Sequence, residues 1–203
     1  MQLYKNLDKA LLFVFAGMFI FGAVFFIGGF LICTNTIKYN DEVPLADISD
    51  IAVDSSGDIY VETSFYGKVQ VYNSKGKFLR NWPAFSGGKI DMDITDDENI
   101  VVASEKEHKL ITFDKFGKIL GDSILGRDFS VPDSLRKVYW VDSVKYEAVG
   151  FLSPEIVTTF PAKSVIVKQS GFLNLINGNS VWVFCLIGLG GFRYLRKRKP
   201  RDV

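Results

Sequence analysis

Residues 50–79 read DIAVDSSGDIYVETSFYGKVQVYNSKGKFL, and residues 91–120 read DMDITDDENIVVASEKEHKLITFDKFGKIL. The two stretches align without a gap, offset by 41 residues. Asp50, Ile59, Val61, Lys68, Gly76, Lys77 and Leu79 recur as Asp91, Ile100, Val102, Lys109, Gly117, Lys118 and Leu120. Other positions keep their character: Val53 and Ile94, Val69 and Leu110, Tyr72 and Phe113, Phe78 and Ile119. Each copy divides into four short strands with period-two alternation, in the first copy Asp50–Val53, Ile59–Thr63, Lys68–Tyr72 and Lys77–Leu79. Asp54-Ser55-Ser56-Gly57-Asp58 and Asn73-Ser74-Lys75-Gly76 separate them, and Asp96-Asp97-Glu98-Asn99 and Asp114-Lys115-Phe116-Gly117 take those places in the second copy. Asp and Asn side chains bond their own backbone in such turns, and Gly and Asn accept positive φ.

A repeat of this period is the mark of a propeller blade or a related stacked unit. The first copy, IAVDSSGDIYV followed by GKVQVYNSKGKFL, resembles an NHL repeat, the blade of NHL-type β-propellers. The second departs from that pattern, with Glu98 in the place of Gly57 and Val101 in that of Tyr60. The two copies cover less than a third of the chain. The resemblance implies blade-like meanders and the binding of proteins or other macromolecules, not a particular activity. Some NHL propellers are lyases whose metal is held by histidines from several blades, whereas this chain has one histidine, His108.

Around the repeats the chain turns apolar. Residues 11–33, LLFVFAGMFIFGAVFFIGGFLIC, contain no charge. About 20 such residues cross a bilayer core of about 30 Å. The run is too long for a signal-peptide core and has no small-residue cleavage site, which predicts an uncleaved signal anchor. A second apolar run, VWVFCLIGLGGFRYL (181–195), ends in Arg193, Arg196, Lys197, Arg198, Lys199 and Arg201. Such a basic cluster beside an apolar helix is a cytoplasmic stop-transfer signal. With Lys5 and Lys9 ahead of the first run, both termini are expected in the cytoplasm and residues 34–179 outside. Cys33 and Cys185 fall in different parts of the membrane segments, so no bridge between them is expected.

The expected fold is a mainly β extracytoplasmic domain of propeller-blade-like four-stranded meanders, an incomplete propeller, flanked by two transmembrane helices. Residues 1–10 form the cytoplasmic N-terminus, 11–33 the first transmembrane helix and 34–47 a polar linker. Residues 48–121 hold the two blades, joined by an Asn81–Gly88 segment in which Trp82 and Phe85 read as core. Residues 122–170 form a divergent third blade or a meander packed on the second, with strands at 137–141, 146–151, 156–160 and 164–168. Residues 176–195 are the second transmembrane helix and 196–203 the basic cytoplasmic tail.

No catalytic constellation emerges. The chain has no Ser-His-Asp set, no phosphate-cradling glycine loop outside the membrane segments and no Cys/His ligand spacing. Asp91, Asp93, Asp96, Asp97 and Glu98 form the carboxylate-rich cluster, but Thr95 and Asp96 break the calcium-loop pattern, and solvated turn charges are the reading. His108 is expected as an exposed turn residue. No catalytic residue, cofactor or metal is assigned, and no nucleic acid is expected as partner. The function expected is a non-enzymatic, membrane-anchored module for protein–protein interaction or scaffolding. Two or three blades cannot close a ring, so their outer faces call for a second copy or another membrane or extracytoplasmic protein. A sensor or channel-like oligomer of two-helix subunits is one alternative, and the uncharged first run gives it no pore lining. A surface protein with a C-terminal sorting-type tail is another, although Asn177-Gly178-Asn179-Ser180 stands where a sorting motif belongs. Ile59 and Ile100 are expected to carry the packing, and Lys68 and Lys109 to reach solvent.

Overall fold

The computed structural model describes residues 2–85, 88–126, 128–131 and 138–198. Ser86 and Gly87 of the joining segment, Lys137 at the start of a predicted strand, and Lys199 and Arg201 of the basic tail lie outside them. Helix α1 runs Gln2–Cys33. Twelve strands follow: β1 Ile48–Val53, β2 Ile59–Thr63, β3 Lys68–Tyr72, β4 Phe78–Pro83, β5 Ile90–Ile94, β6 Ile100–Ser104, β7 Lys109–Phe113, β8 Ile119–Ile124, β9 Val138–Val141, β10 Val144–Val149, β11 Glu155–Phe160 and β12 Ser164–Lys168. Helices α2 Gly171–Leu175 and α3 Gly178–Arg198 close the chain.

The strands form three four-stranded antiparallel meanders, β1–β4, β5–β8 and β9–β12. The repeat becomes two sheets of matching register. Ile59 pairs with Tyr72 as Ile100 pairs with Phe113, and Val61 with Gln70 as Val102 with Ile111. The turns match too. Asp54 Oδ1 accepts from the backbone N–H groups of Ser56 and Asp58, Asn73 Oδ1 from Lys75 and Lys77, and Asp114 Oδ1 from Phe116 and Lys118. Left-handed backbone recurs at equivalent places: Gly57 (φ 81°) and Glu98 (59°), Gly67 (60°) and His108 (48°), Gly76 (75°) and Gly117 (86°). Geometry therefore persists at two positions where the second copy has lost the glycine. Strand β4 is longer than expected and takes in Trp82, because the Trp82 ring is a core group. It packs on Tyr60 and Phe113 between the first two sheets.

The sheets stack in the order third, first, second. One face of the first sheet, with Ala52, Tyr60, Val69, Val71 and Trp82, packs on Ile90, Met92, Ile100, Val102 and Phe113 of the second. Its other face, with Ile51, Val53, Ile59, Val61 and Tyr72, packs on Ile156 and Val167 of the third. The third meander therefore lies on the first sheet, not on the second as its chain order suggested. The reason is the apolar supply. Both faces of β2 and β3 are buried, whereas in the second sheet β7 is largely half-buried and β8 is exposed. The third sheet also repeats the geometry of the first. A Cβ on Gly117 would strike the Trp82 ring of the preceding sheet, and a Cβ on Gly76 would strike the Ile166 carbonyl oxygen of β12. The third sheet thus stands to the first as the first stands to the second.

Two expectations change here. Residues 42–46 are no free linker: Val43, Pro44, Leu45 and Ala46 are buried in a strap across the first sheet. Gln70 grips Val43 at both backbone groups, Oε1 accepting from N–H at 2.9 Å and Nε2 donating to C=O at 3.0 Å. Gln169 Oε1 accepts from Leu45 N–H at 2.7 Å, and its Nε2 donates to Val43 O and Glu42 Oε1. Lys68, expected at the surface, is 2% exposed, and burial pushes its ammonium below the ordinary lysine value. Lys109 does lie near solvent, 2.7 Å from Asp122.

Candidate functional site

The sequence-predicted polar groups do not converge. Asp91 and Asp93 lie on β5, where Asp93 Oδ1 accepts from the Ile94 N–H and from the Tyr139 hydroxyl of the third sheet. Asp96, Asp97 and Glu98 lie in the β5–β6 turn, and Glu98 Oε1 accepts from Ser55 of the first sheet. Among the described residues no three His, Cys, Asp or Glu side chains meet as a metal site. His108 is half-buried rather than exposed. It lines an open concavity of about 500 Å³ with Lys89, Glu105, Lys106, Asp128 and Phe129 at one end of the second sheet.

A buried carboxyl group was not anticipated. Glu62 is enclosed between the first two sheets, with Ser64 Oγ donating to its Oε2 at 3.1 Å and its Oε1 without a hydrogen-bond partner. Burial, then the nearby Asp47 and Asp50 charges, hold its carboxyl well above the ordinary value, against the pull of the Ser64 and Ser49 hydroxyls. Asp50, directly across from Glu62, is fastened to the next sheet: its Oδ2 accepts from Met92 N–H at 2.8 Å. Asp91 is the Asp50 of the second sheet, the last of the stack.

Among the described residues, the two ends of the stack carry exposed apolar side chains. On the third sheet Trp140 and Phe160 stand either side of Lys145 in the register, 56% and 50% exposed, with ring centroids 6.1 Å apart. Val165 of β12 is exposed as well. On the second sheet the outermost strand β8 is exposed along its whole length, Ile119, Leu120 and Ile124 included.

The helices meet beneath the first and third sheets. Helix α1 is the one helix among the described residues long and apolar enough to cross a membrane. α3 packs antiparallel along it through small residues. Gly22 faces Cys185 and Val181, and Gly188 and Gly191 face Phe15 and Phe19. Phe21 meets Phe184 edge to face at 5.5 Å, and Phe26 meets Trp182 at 5.2 Å. The β2–β3 turn wedges into this pair. The Phe65 ring lies against both Gly29 and Gly178, and the Tyr66 hydroxyl donates to Ile176 O at 3.1 Å.

No protein-family model matches the chain, and neither does any curated protein. Among solved structures it is similar to a protein of unknown function from Bacteroides caccae (16% identity over 61% of this chain and 46% of that one, TM-score 0.33). It is also similar to virginiamycin B lyase from Staphylococcus aureus (14% identity, 69% and 47%, TM-score 0.33) and to the Dos1 propeller (22% identity, 55% and 28%, TM-score 0.30). The chain spans less than half the length of each. These neighbours include a lyase and a propeller.

Proposed function

We propose that the chain is a membrane-anchored, non-enzymatic interaction module of NHL-type blades, held outside the cytoplasm and completed by a second copy or another extracytoplasmic protein. The carrying observation is the exposed apolar side chains at the two stack ends. Asp91 repeats an aspartate that bonds the next sheet, and Trp140 and Phe160 stand exposed with their rings together on the outer face of the third sheet. Contiguous apolar surface of this kind marks an interaction site. α3 serves as the second span, which its glycine-mediated packing on α1 and its basic C-terminal end support. Both termini then face the cytoplasm. A photo-crosslinking residue at position 140 of the full chain, in its own membrane, tests the reading. An adduct to a second copy or to one defined partner is expected. A full chain that stays monomeric in detergent and gives no adduct overturns it.

A further inference from the structure

The β10–β11 turn carries apolar side chains where a turn is usually polar. Sequence periodicity places Phe151 at the end of a strand, but β10 stops at Val149 and Gly150 turns the chain with φ 89°. Phe151, 66% exposed, and Leu152 then project from the tip. Helix α2 repeats the pattern beside them, with Phe172 61% exposed and Leu175 exposed.

Three asparagines fix this tip against the helices. Asn177 Nδ2 donates to Leu152 O at 2.7 Å, Asn179 Nδ2 to Phe151 O at 2.9 Å, and Asn174 Nδ2 to Ser153 Oγ at 2.9 Å. The height of the tip along α1 follows. Gly178 lies between Asn177 and Asn179, and it shares the Phe65 ring with Gly29 of α1. Gly29 is four residues short of Cys33, the last residue of the apolar run, or about 6 Å at about 1.5 Å per residue. The tip is therefore level with the last turn of the apolar helix, where Phe30 also points outward. Apolar faces of interfacial segments sit about 5–10 Å into the boundary between headgroups and acyl chains, the same depth.

We propose that the β10–β11 turn and α2 are a membrane-interface contact, with Phe151, Leu152, Phe172 and Leu175 seated in the headgroup–acyl boundary of the bilayer that α1 crosses. The inference rests on α1 being a span. It makes the third sheet a foothold in the membrane beside the helices, adding to the contacts of Phe65, Tyr66 and the three asparagines that already tie the domain to them. With the tip seated, the outward Trp140–Phe160 face is presented from a fixed position beside the membrane.

The test uses the full chain in lipid nanodiscs, with Cys33→Ser and Cys185→Ala as background and one environment-sensitive fluorophore at a time. The positions are Phe151→Cys, Phe172→Cys, Val24→Cys on the outward side of α1, and Ile124→Cys on β8. Fluorophores at 151 and 172 are expected to emit to the blue and to be quenched by lipids carrying a nitroxide near the headgroup. That at 24 is expected to be quenched by lipids labelled near the bilayer centre, and that at 124 by neither. Quenching at 24 with positions 151 and 172 behaving like 124 overturns the interface contact and leaves the span intact. No quenching at 24 overturns the span itself and the proposal with it.

Discussion

At the scale of the residue, Gly76 shows why one repeated glycine carries more than turn geometry. Its backbone is left-handed, and the space for a Cβ is filled by a backbone carbonyl of β12, which cannot swing aside as a side chain can. Gly76→Ala is expected to cost about 2–4 kcal/mol, from left-handed strain plus a forced separation of two sheets. Gly121→Ala has open space around the new methyl and is expected to stay within about 0.5 kcal/mol. Equilibrium unfolding of the two variants checks this, and equal effects would mean that the third sheet does not sit on the first. Glu62 sets a pH dependence. Its carboxyl binds a proton more tightly in the folded chain than in the unfolded one. Its contribution is therefore whole below the ordinary value of 4.5 and is lost as pH rises through the raised folded value. Glu62→Gln is expected to match the parent at pH 4.5 and to become more stable above it, by up to about 1.4 kcal/mol per pH unit within that window. Unfolding curves between pH 4 and pH 8 read the divergence, and parallel curves would show that folding leaves the proton affinity of Glu62 unchanged.

At the scale of the element, the strap over residues 42–46 is the piece that sequence pattern hid. Asn40, Asp41 and Pro44 read as a linker, and local reading stops there. The signal lay in the comparison of the two copies. Gln70 stands where the second copy has Ile111, and the Tyr72 hydroxyl stands where Phe113 has none. Both additions face the strap: Gln70 holds Val43, and Tyr72 donates to Glu42 Oε1 and accepts from Gln169 Nε2. A polar residue at a core position of one repeat, absent from the other, signals an extra backbone segment to be bonded. Gln169 could not be found that way, because the third sheet has no register with the repeats. Gln169→Ala leaves the Leu45 N–H and one bond to Val43 O unmade in a buried place, at an expected cost of about 2–3 kcal/mol. Hydrogen exchange of the full chain in detergent should show the Leu45 amide losing its protection while Val102 in the second sheet keeps its own. Protection lost equally at both sites would mean that the strap and the sheets unfold as one.

At the scale of the whole molecule, the four-strand division of each repeat was legible because alternation and Asx turns are local. The stacking order was not, because it depends on which sheet has two apolar faces to cover. Ile59 faces the third sheet and Ile100 faces the first, so their truncations should differ in reach although each costs about 2–5 kcal/mol. Ile59→Ala should raise exchange in all three sheets, and Ile100→Ala chiefly in β5–β8. Uniform loss in both variants would show the stack to be one cooperative unit. The place of the third sheet also bears on synthesis. The first sheet is complete at Pro83, but the sheet that covers Ile51, Val53 and Ile59 ends at Lys168. At about 5–20 residues per second, those roughly 85 residues take roughly 4–17 seconds to emerge. For that interval the growing chain carries a finished sheet whose face toward the third sheet is uncovered. Nascent chains arrested before β11 should therefore be held by chaperones, and release of such chains without any chaperone would show that the strap alone is cover enough.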